Sequence, residues 1–321
     1  MRASLKNRVR SLYRRGLRAS AVGDGVVLMF HSIPTAQAID DRLIPNPSME
    51  SSPRFLEQVI DHFQAQGYSF VCLDALAERV RGGRRGERFA CVTFDDGYRD
   101  NLLCAHPILA ERGVPYTVFV ITGFPDGAVV HYGAITHHWV ASSDVLRIRL
   151  GGRLHVLPAG GQDEKIESLR RLRALISGSL KGSEIKGFLE DMGAPMGQHT
   201  LSWAELAEMA QHLLATIGAH TINHPKLTSL DATAARREIE GSKHRLEEVL
   251  GQPVRHFAYP FGAAGAREFG LARAAGFETM STVKPGRIAV GRTDLAALPR
   301  VRAENGRLDL LETGLAALRT R

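Results

Sequence analysis

Eight short apolar runs recur along the chain, each of strand length and each bounded by polar or glycine-containing stretches. They read VVLMFH (26–31), SFVCL (69–73), FACVTF (89–94), YTVFVI (116–121), ATIGAH (215–220), VRHFAYP (254–260), FETMST (277–282) and ALPRVRA (297–303). Between them the hydrophobic period changes from that of a strand to that of a helix. SPRFLEQVIDHFQAQG (52–67) and ATAARREIEGSKHRLEEVLG (232–251) place apolar residues three and four apart and stop at Gly67 and Gly251, as helix C-termini commonly do. Strands alternating with helices predict an α/β fold built from βα units around a mostly parallel sheet.

Residues 125–199 break that rhythm. HYGAITHHWV and the charged DEKIESLRRLRALISGSLKGSEIKGFLEDMG predict a helical insertion between strands. Such a segment could serve as a lid or a substrate-side wall, or be a surface excursion without catalytic residues. No repeat of fixed period and no long low-complexity tract occurs.

Composition narrows the class. At 321 residues with 44% hydrophobic and 23% charged, the chain has the make-up of a soluble globular protein, and no run approaches the length of a membrane span. The net charge of +7 would suggest a nucleic-acid partner if it were spread over the fold. Instead Arg2, Lys6, Arg8, Arg10, Arg14, Arg15 and Arg18 precede the first acid, Asp24, and the rest of the chain is neutral. Residues 1–23 are therefore expected to form a basic tail or helix, and 24–321 a single domain. The tail lacks the apolar stretch of a secretory signal, so a cytoplasmic location is expected. Weak membrane-surface contact through the tail is an alternative to a solvated helix, and no nucleic-acid partner is expected. Cys72, Cys91 and Cys104 are odd in number and lack metal-ligand spacing, which fits buried free thiols in a reducing compartment.

Candidate chemistry sits where strands end, the usual place for a site in parallel α/β folds. In CVTFDDGYRDN, Asp95 and Asp96 follow a buried run directly and precede Gly97. Two crowded carboxylates repel unless one takes a proton or a cation sits between them. The triplet by itself is more often a solvated turn. GAHTINHP supplies a partner, with His220 at a strand end and His224 four residues later. Two imidazoles and one carboxylate form a ligand set that leaves positions open for water and substrate.

TFDDGYRDN, GAHTINHP and RHFAYPFG, in this order and spacing, resemble the polysaccharide deacetylase family, carbohydrate esterase family 4, over roughly residues 24–305. The resemblance implies a distorted (β/α) barrel, here with the helical insertion, that removes N-acetyl groups from an oligo- or polysaccharide containing N-acetylglucosamine. It further implies Asp95 as general base, Asp96, His220 and His224 as ligands of a divalent metal, with Zn2+ the default ion, and a backbone N–H near Phe261 facing the oxyanion. The expected partner is accordingly an N-acetylated oligo- or polysaccharide. In such a reaction the metal would polarise the acetyl carbonyl and activate water, whose proton Asp95 takes. The leaving amine must be protonated by an acid.

Two departures from the family pattern matter. Most relatives carry the acid histidine in a C-terminal L-H motif, absent here. The sequence is similar to the permuted branch, in which the strand bearing that histidine has moved to the front, and this makes His31 in VVLMFHSIP the expected acid. Many relatives also have an arginine, which orients the base, where this chain has Ala258. Arg300 in LPRV could reach the same carboxylate from another direction, or make an ordinary ion pair. Tyr259, Phe261 and Trp139 are candidates for the substrate groove, with packing as the alternative for the tyrosine and the tryptophan. Two other functions stay open at this point: a carbohydrate-binding relative that has lost its chemistry, and an amidohydrolase acting on a small non-sugar amide.

Overall fold

A computed structural model describes residues 25–308 and 311, apart from positions 42, 45, 47, 48, 83–85 and 181. The basic segment before Asp24 lies outside the described residues. Strands form at all eight apolar runs. In chain order these are β1 (Gly25–Phe30), β2 (Ser69–Phe70), β3 (Phe89–Phe94) and β4 (Tyr116–Val120) before the insertion. Within the insertion lie β5 (Val145–Leu150) and β6 (Arg153–Pro158), and after it β7 (Ala215–Ala219), β8 (His256–Ala258), β9 (Thr279–Ser281) and β10 (Val301–Arg302). The eight outside the insertion make one parallel sheet in the order β10-β1-β3-β4-β7-β8-β9, with β2 beside the start of β3. β1, β3 and β4 are buried along their whole length, as strands covered on both faces must be.

One late segment joins the two edges of this sheet. Leu298 pairs with Ser281 of β9, and Val301 pairs with Leu28 of β1. The sheet is thereby rolled into a distorted (β/α) barrel, and Arg300 lies at the point where the segment passes from one edge to the other. The alternation of β3 sorts its side chains into two cores. Ala90, Val92 and Phe94 join a large cluster with the surrounding helices. Phe89 and Cys91 join a smaller one with Val27, Phe119, Ala258 and Leu298.

The helices form where their signals predict. Pro53–Ala65 starts with Ser52, whose hydroxyl accepts the Phe55 N–H at 3.1 Å, and it buries Phe55, Leu56, Val59, Ile60 and Phe63. Ala232–Leu250 is capped by Asp231 and ends at Gly251, whose φ of 65° is the left-handed conformation that glycine adopts without penalty.

The insertion is not purely helical, which corrects the expectation above. Besides the helices Tyr132–Ala141, Gln162–Ser179 and Gly182–Asp191, it contains the antiparallel hairpin β5–β6, turned through Gly151 and Gly152 at φ 58° and 75°. Leu146, Ile148 and Leu157 from the hairpin pack with Ile135, Val140, Leu169, Leu172 and Ile176, a core separate from those of the barrel.

Candidate active site

Two pairs of neighbouring parallel strands end in register, β1 with β3 and β4 with β7, and a polar residue directly follows β1, β3 and β7. Phe30 of β1 is in register with Phe94 of β3, and the Asp95 N–H donates to the Phe30 carbonyl at 3.0 Å. Val120 of β4 is in register with Ala219 of β7, and the His220 N–H donates to the Val120 carbonyl at 2.9 Å. β8 ends at Ala258. His31, Asp95 and His220 therefore stand at one rim because their strands are aligned there, and all three are buried.

The two adjacent acids receive different environments. Asp95 is held by the fork of Arg300: Nη1 donates to Oδ1 at 2.6 Å and Nη2 to Oδ2 at 2.7 Å. Arg300 is itself 1% exposed and is oriented by Nε donating to the Thr282 carbonyl at 2.9 Å and by Nη1 meeting the Thr93 hydroxyl at 3.2 Å. Burial alone would raise the Asp95 pKa, but the charges of Arg300 and His220 outweigh it and hold the carboxyl below the ordinary range.

Asp96 breaks the strand's alternation with a φ of 73°. Its Oδ1 lies 3.5 Å from Nε2 of His220 and 3.5 Å from Nε2 of His224. Burial acts to raise its pKa also, yet the hydrogen-bonding and charge of the imidazoles leave it lowered. His220 has the opposite balance, with Asp96 and Asp95 raising its pKa against burial. The His224 pKa is lowered to about 4 by burial and by His220.

These three residues pass a test as a cation site. Nδ1 of His220 lies 2.7 Å from the Ala258 carbonyl, so it carries a proton and turns Nε2 toward Asp96, where Nε2 can share a second proton with the carboxylate or give its lone pair to a cation. An imidazole lone pair facing a carboxylate oxygen at 3.5 Å is repulsive unless a proton or a cation lies between. The donor atoms of Asp96, His220 and His224 all lie within 4.8 Å of one another, and no other such group of three occurs among the described residues. Asp, His and His form a set suited to a divalent ion with positions left for other ligands.

The loop carrying His224 is braced by residues the sequence did not single out. Thr221 accepts the His224 N–H on its hydroxyl at 3.0 Å. Glu238, from the helix Ala232–Leu250, accepts the backbone N–H groups of Ile222 and Asn223, each at 2.9 Å. The cue for Glu238 was weak, since an acid on a helix face reads as solvated.

Of the remaining candidates, His31 directly follows β1, close enough to Asp95 and Asp96 to feel their charge. Its pKa is lowered by burial, against the pull of Asp95 and Asp96. Phe261 is 63% exposed and lays its ring 4.6 Å from that of His224, with a left-handed backbone at φ 58°. Tyr259 does not line a groove: it is fully buried, and its hydroxyl donates to the Ala296 carbonyl at 3.2 Å. The burial of its neighbours in β8 continues through it, so it packs in the barrel wall. Trp139 is partly buried and packs against the insertion's own core. Its neighbour His137 accepts the Leu43 N–H at 3.1 Å.

Comparison with known proteins agrees with this geometry. A profile of the polysaccharide deacetylases matches residues 82–280. That range contains Asp95, Asp96, His220 and His224 but neither His31 nor Arg300. YxkH of Bacillus subtilis, a protein assigned as a polysaccharide deacetylase, is 22% identical over 283 residues, covering 87% of this chain and 71% of its own. Among solved structures, IcaB from Ammonifex degensii aligns with a TM-score of 0.57 at 20% identity, over 93% of this chain and 98% of that one. The Streptococcus pyogenes deacetylase PplD, solved with acetate, aligns with a TM-score of 0.56 at 20% identity, over 86% and 91%. The structural likeness supports the barrel, and the profile spans well over half of the sequence together with both motifs: this chain belongs to the polysaccharide deacetylase family.

Proposed function

We propose that the protein is a metal-dependent hydrolase that removes N-acetyl groups from an oligo- or polysaccharide containing N-acetylglucosamine. The observation that carries this reading is the unequal treatment of two adjacent carboxylates. Asp95 is forked by a buried arginine, and Asp96 faces two imidazoles at ligand spacing. A carboxylate kept ionised and oriented is suited to take a proton, while its neighbour is suited to hold a cation.

Asp96, His220 and His224 would hold a divalent ion, with zinc the expected occupant, and such an ion would supply Lewis-acid polarisation of the acetyl oxygen and a lowered pKa for water. Asp95 takes the proton from the attacking water, its Oδ atoms fixed by Arg300. The backbone N–H at Phe261 is the donor offered to the oxyanion, beside the ligand histidine its ring contacts. His31, at the end of the neighbouring strand, gives its proton to the departing nitrogen, without which the amine is a poor leaving group. Membrane-surface contact through the basic tail and a cytoplasmic location are further proposals, resting on the sequence alone.

Acetate release from chitooligosaccharides, peptidoglycan fragments and poly-N-acetylglucosamine tests the reading. Release from at least one, lost in Asp95→Asn, is the expected result. Protein that carries its metal and releases no acetate from any of them would overturn it.

A further inference from the structure

We infer that Asp100 and Asn101, the last two residues of TFDDGYRDN, are positioning residues for the proton donor His31. This rests on the proposed role of His31 as acid. The Nδ1 of that histidine makes no hydrogen bond to the protein although it is buried. An imidazole is ordinarily oriented by a partner on the nitrogen away from the reaction, so the ring of His31 depends on how its backbone is held.

That backbone is held residue by residue. The side-chain amide of Asn101, fully buried, donates to the His31 carbonyl at 2.8 Å. The Asp100 carboxylate accepts the Ser32 hydroxyl on Oδ2 at 2.5 Å and the Ile33 N–H on Oδ1 at 2.9 Å. Asn101 also donates to Asp100 Oδ1 at 3.2 Å, which ties the two clamping side chains together. From the other side, Ser32 donates its N–H to the Met49 carbonyl and accepts from the Ser51 N–H, both at 3.0 Å. Residues 31–33 thus leave β1 along a path fixed by the same loop that presents Asp95 and Asp96. The loop carrying the base and a metal ligand also sets the position of the acid, and it does so with side chains that need not touch substrate.

A misplaced acid has a chemical signature that general damage lacks. Hydrolysis of an acetamide breaks a C–N bond whose nitrogen must gain a proton as it leaves, here from His31. Hydrolysis of 4-nitrophenyl acetate breaks a C–O bond whose oxygen departs as a stable phenolate and needs no acid. Full-length wild type, His31→Ala, Asn101→Ala, Asp100→Ala and Asp100→Asn are compared at equal bound metal, on an N-acetylated oligosaccharide and on the aryl ester. Asn101→Ala and Asp100→Ala should lose about 100-fold on the amide while staying within about threefold on the ester, as a displacement near 1 Å would cause. Asp100→Asn, which keeps Oδ1 for the Ile33 N–H and offers an amide N–H to the Ser32 hydroxyl oxygen in place of Oδ2, should recover most of the loss.

His31 imidazole resonances, assigned from their disappearance in His31→Ala, give a readout independent of turnover. They should shift in Asn101→Ala while those of the remote His256 stay in place. Ser32→Ala, which removes a single bond of the clamp, serves if the larger changes unfold the protein, and should shift the same resonances. Equal losses on amide and ester in His31→Ala would overturn the acid role and the clamp with it. A selective amide loss in His31→Ala, with neither selectivity nor a shifted resonance in the clamp variants, would overturn the clamp alone.

Discussion

Replacing Arg300 by methionine preserves most of the side-chain volume and removes the fork on Asp95. The two N–H groups that reach the carboxylate at 2.6 and 2.7 Å are charge-assisted, and both partners are buried. Charge-assisted hydrogen bonds contribute about 1.5–3 kcal/mol each. Leaving one member of a buried pair alone costs about 3–5 kcal/mol. The two figures overlap, so Arg300→Met should lower the unfolding free energy of metal-free protein by about 3–5 kcal/mol at pH 7. Converting Asp95 to asparagine in the same chain removes the stranded charge and should recover a large part of the loss, giving a strongly non-additive cycle.

The pH dependence fixes the sign. In wild type the Asp95 pKa is lowered, so its contribution is complete above the unfolded value near 4 and is lost only as pH falls through the lower folded one. Without Arg300 the dominant influence on Asp95 is burial, which raises the pKa. The stability gap between variant and wild type should therefore be greatest at neutral pH. It should shrink as pH falls through the variant's raised pKa, and go on shrinking toward the wild type's lowered one. Urea unfolding of both proteins across that range measures it. A gap below about 1 kcal/mol at pH 7, or one that does not narrow in acid, would show that the fork does not hold the charge as described. Turnover gives a second readout: if Arg300 orients the base, acetate release by Arg300→Met should fall about 100-fold. A loss of only a few-fold would confine Arg300 to stability.

Other outcomes follow from the same geometry. Removal of divalent metal by a chelator should abolish acetate release, and His220→Ala or His224→Ala should lower bound metal measured by elemental analysis; turnover that persists at zero metal content would contradict the ligand set. Tyr259→Phe should cost about 1 kcal/mol through the lost bond to Ala296 and leave KM unchanged, because the hydroxyl is buried; a raised KM would return Tyr259 to the groove. In Gly262→Ala the new Cβ would stand 2.7 Å from the Val283 backbone nitrogen at a φ of +63°. That variant should lower the melting temperature and the turnover together, since Phe261 precedes it; unchanged values in both assays would refute the constraint.

Much of the fold was legible because parallel strands buried on both faces leave an unbroken apolar run, and all eight runs became strands. The hairpin β5–β6 was missed for an opposite reason. Its signal is alternation, with Leu146 and Ile148 inward between exposed Val145, Arg147 and Arg149, and the charged helical segments around it dominated the window. Among the aromatic candidates, Tyr259 failed on burial. Tyr259 and Phe261 are two residues apart in one motif, yet one is fully buried and the other 63% exposed. The 3-10 turn Pro260–Gly262 separates them, and its left-handed residue at Phe261 is not encoded by any residue type that favours that conformation.

Backbone conformation explains why the site's residue types could be read from sequence while their support could not. Among the described residues, four non-glycine residues have positive φ: Asp96, Thr221, His224 and Phe261. Two are proposed metal ligands, one accepts the N–H of a ligand histidine, and one sets its ring against that histidine. Left-handed conformations are costly for side chains with a Cβ and persist where surrounding structure enforces them. The enforcement is visible: Glu238 holds the N–H groups of Ile222 and Asn223, and the Gly262 Cα sits where a Cβ would strike Val283. None of these supports is near its beneficiary's motif in a form that spacing reveals, since Glu238 lies on a helix and Val283 beyond β9. A sequence motif records the atoms that do chemistry, and the strained path that brings adjacent acids into one cleft is supplied by residues whose own local signals are those of an ordinary helix and loop.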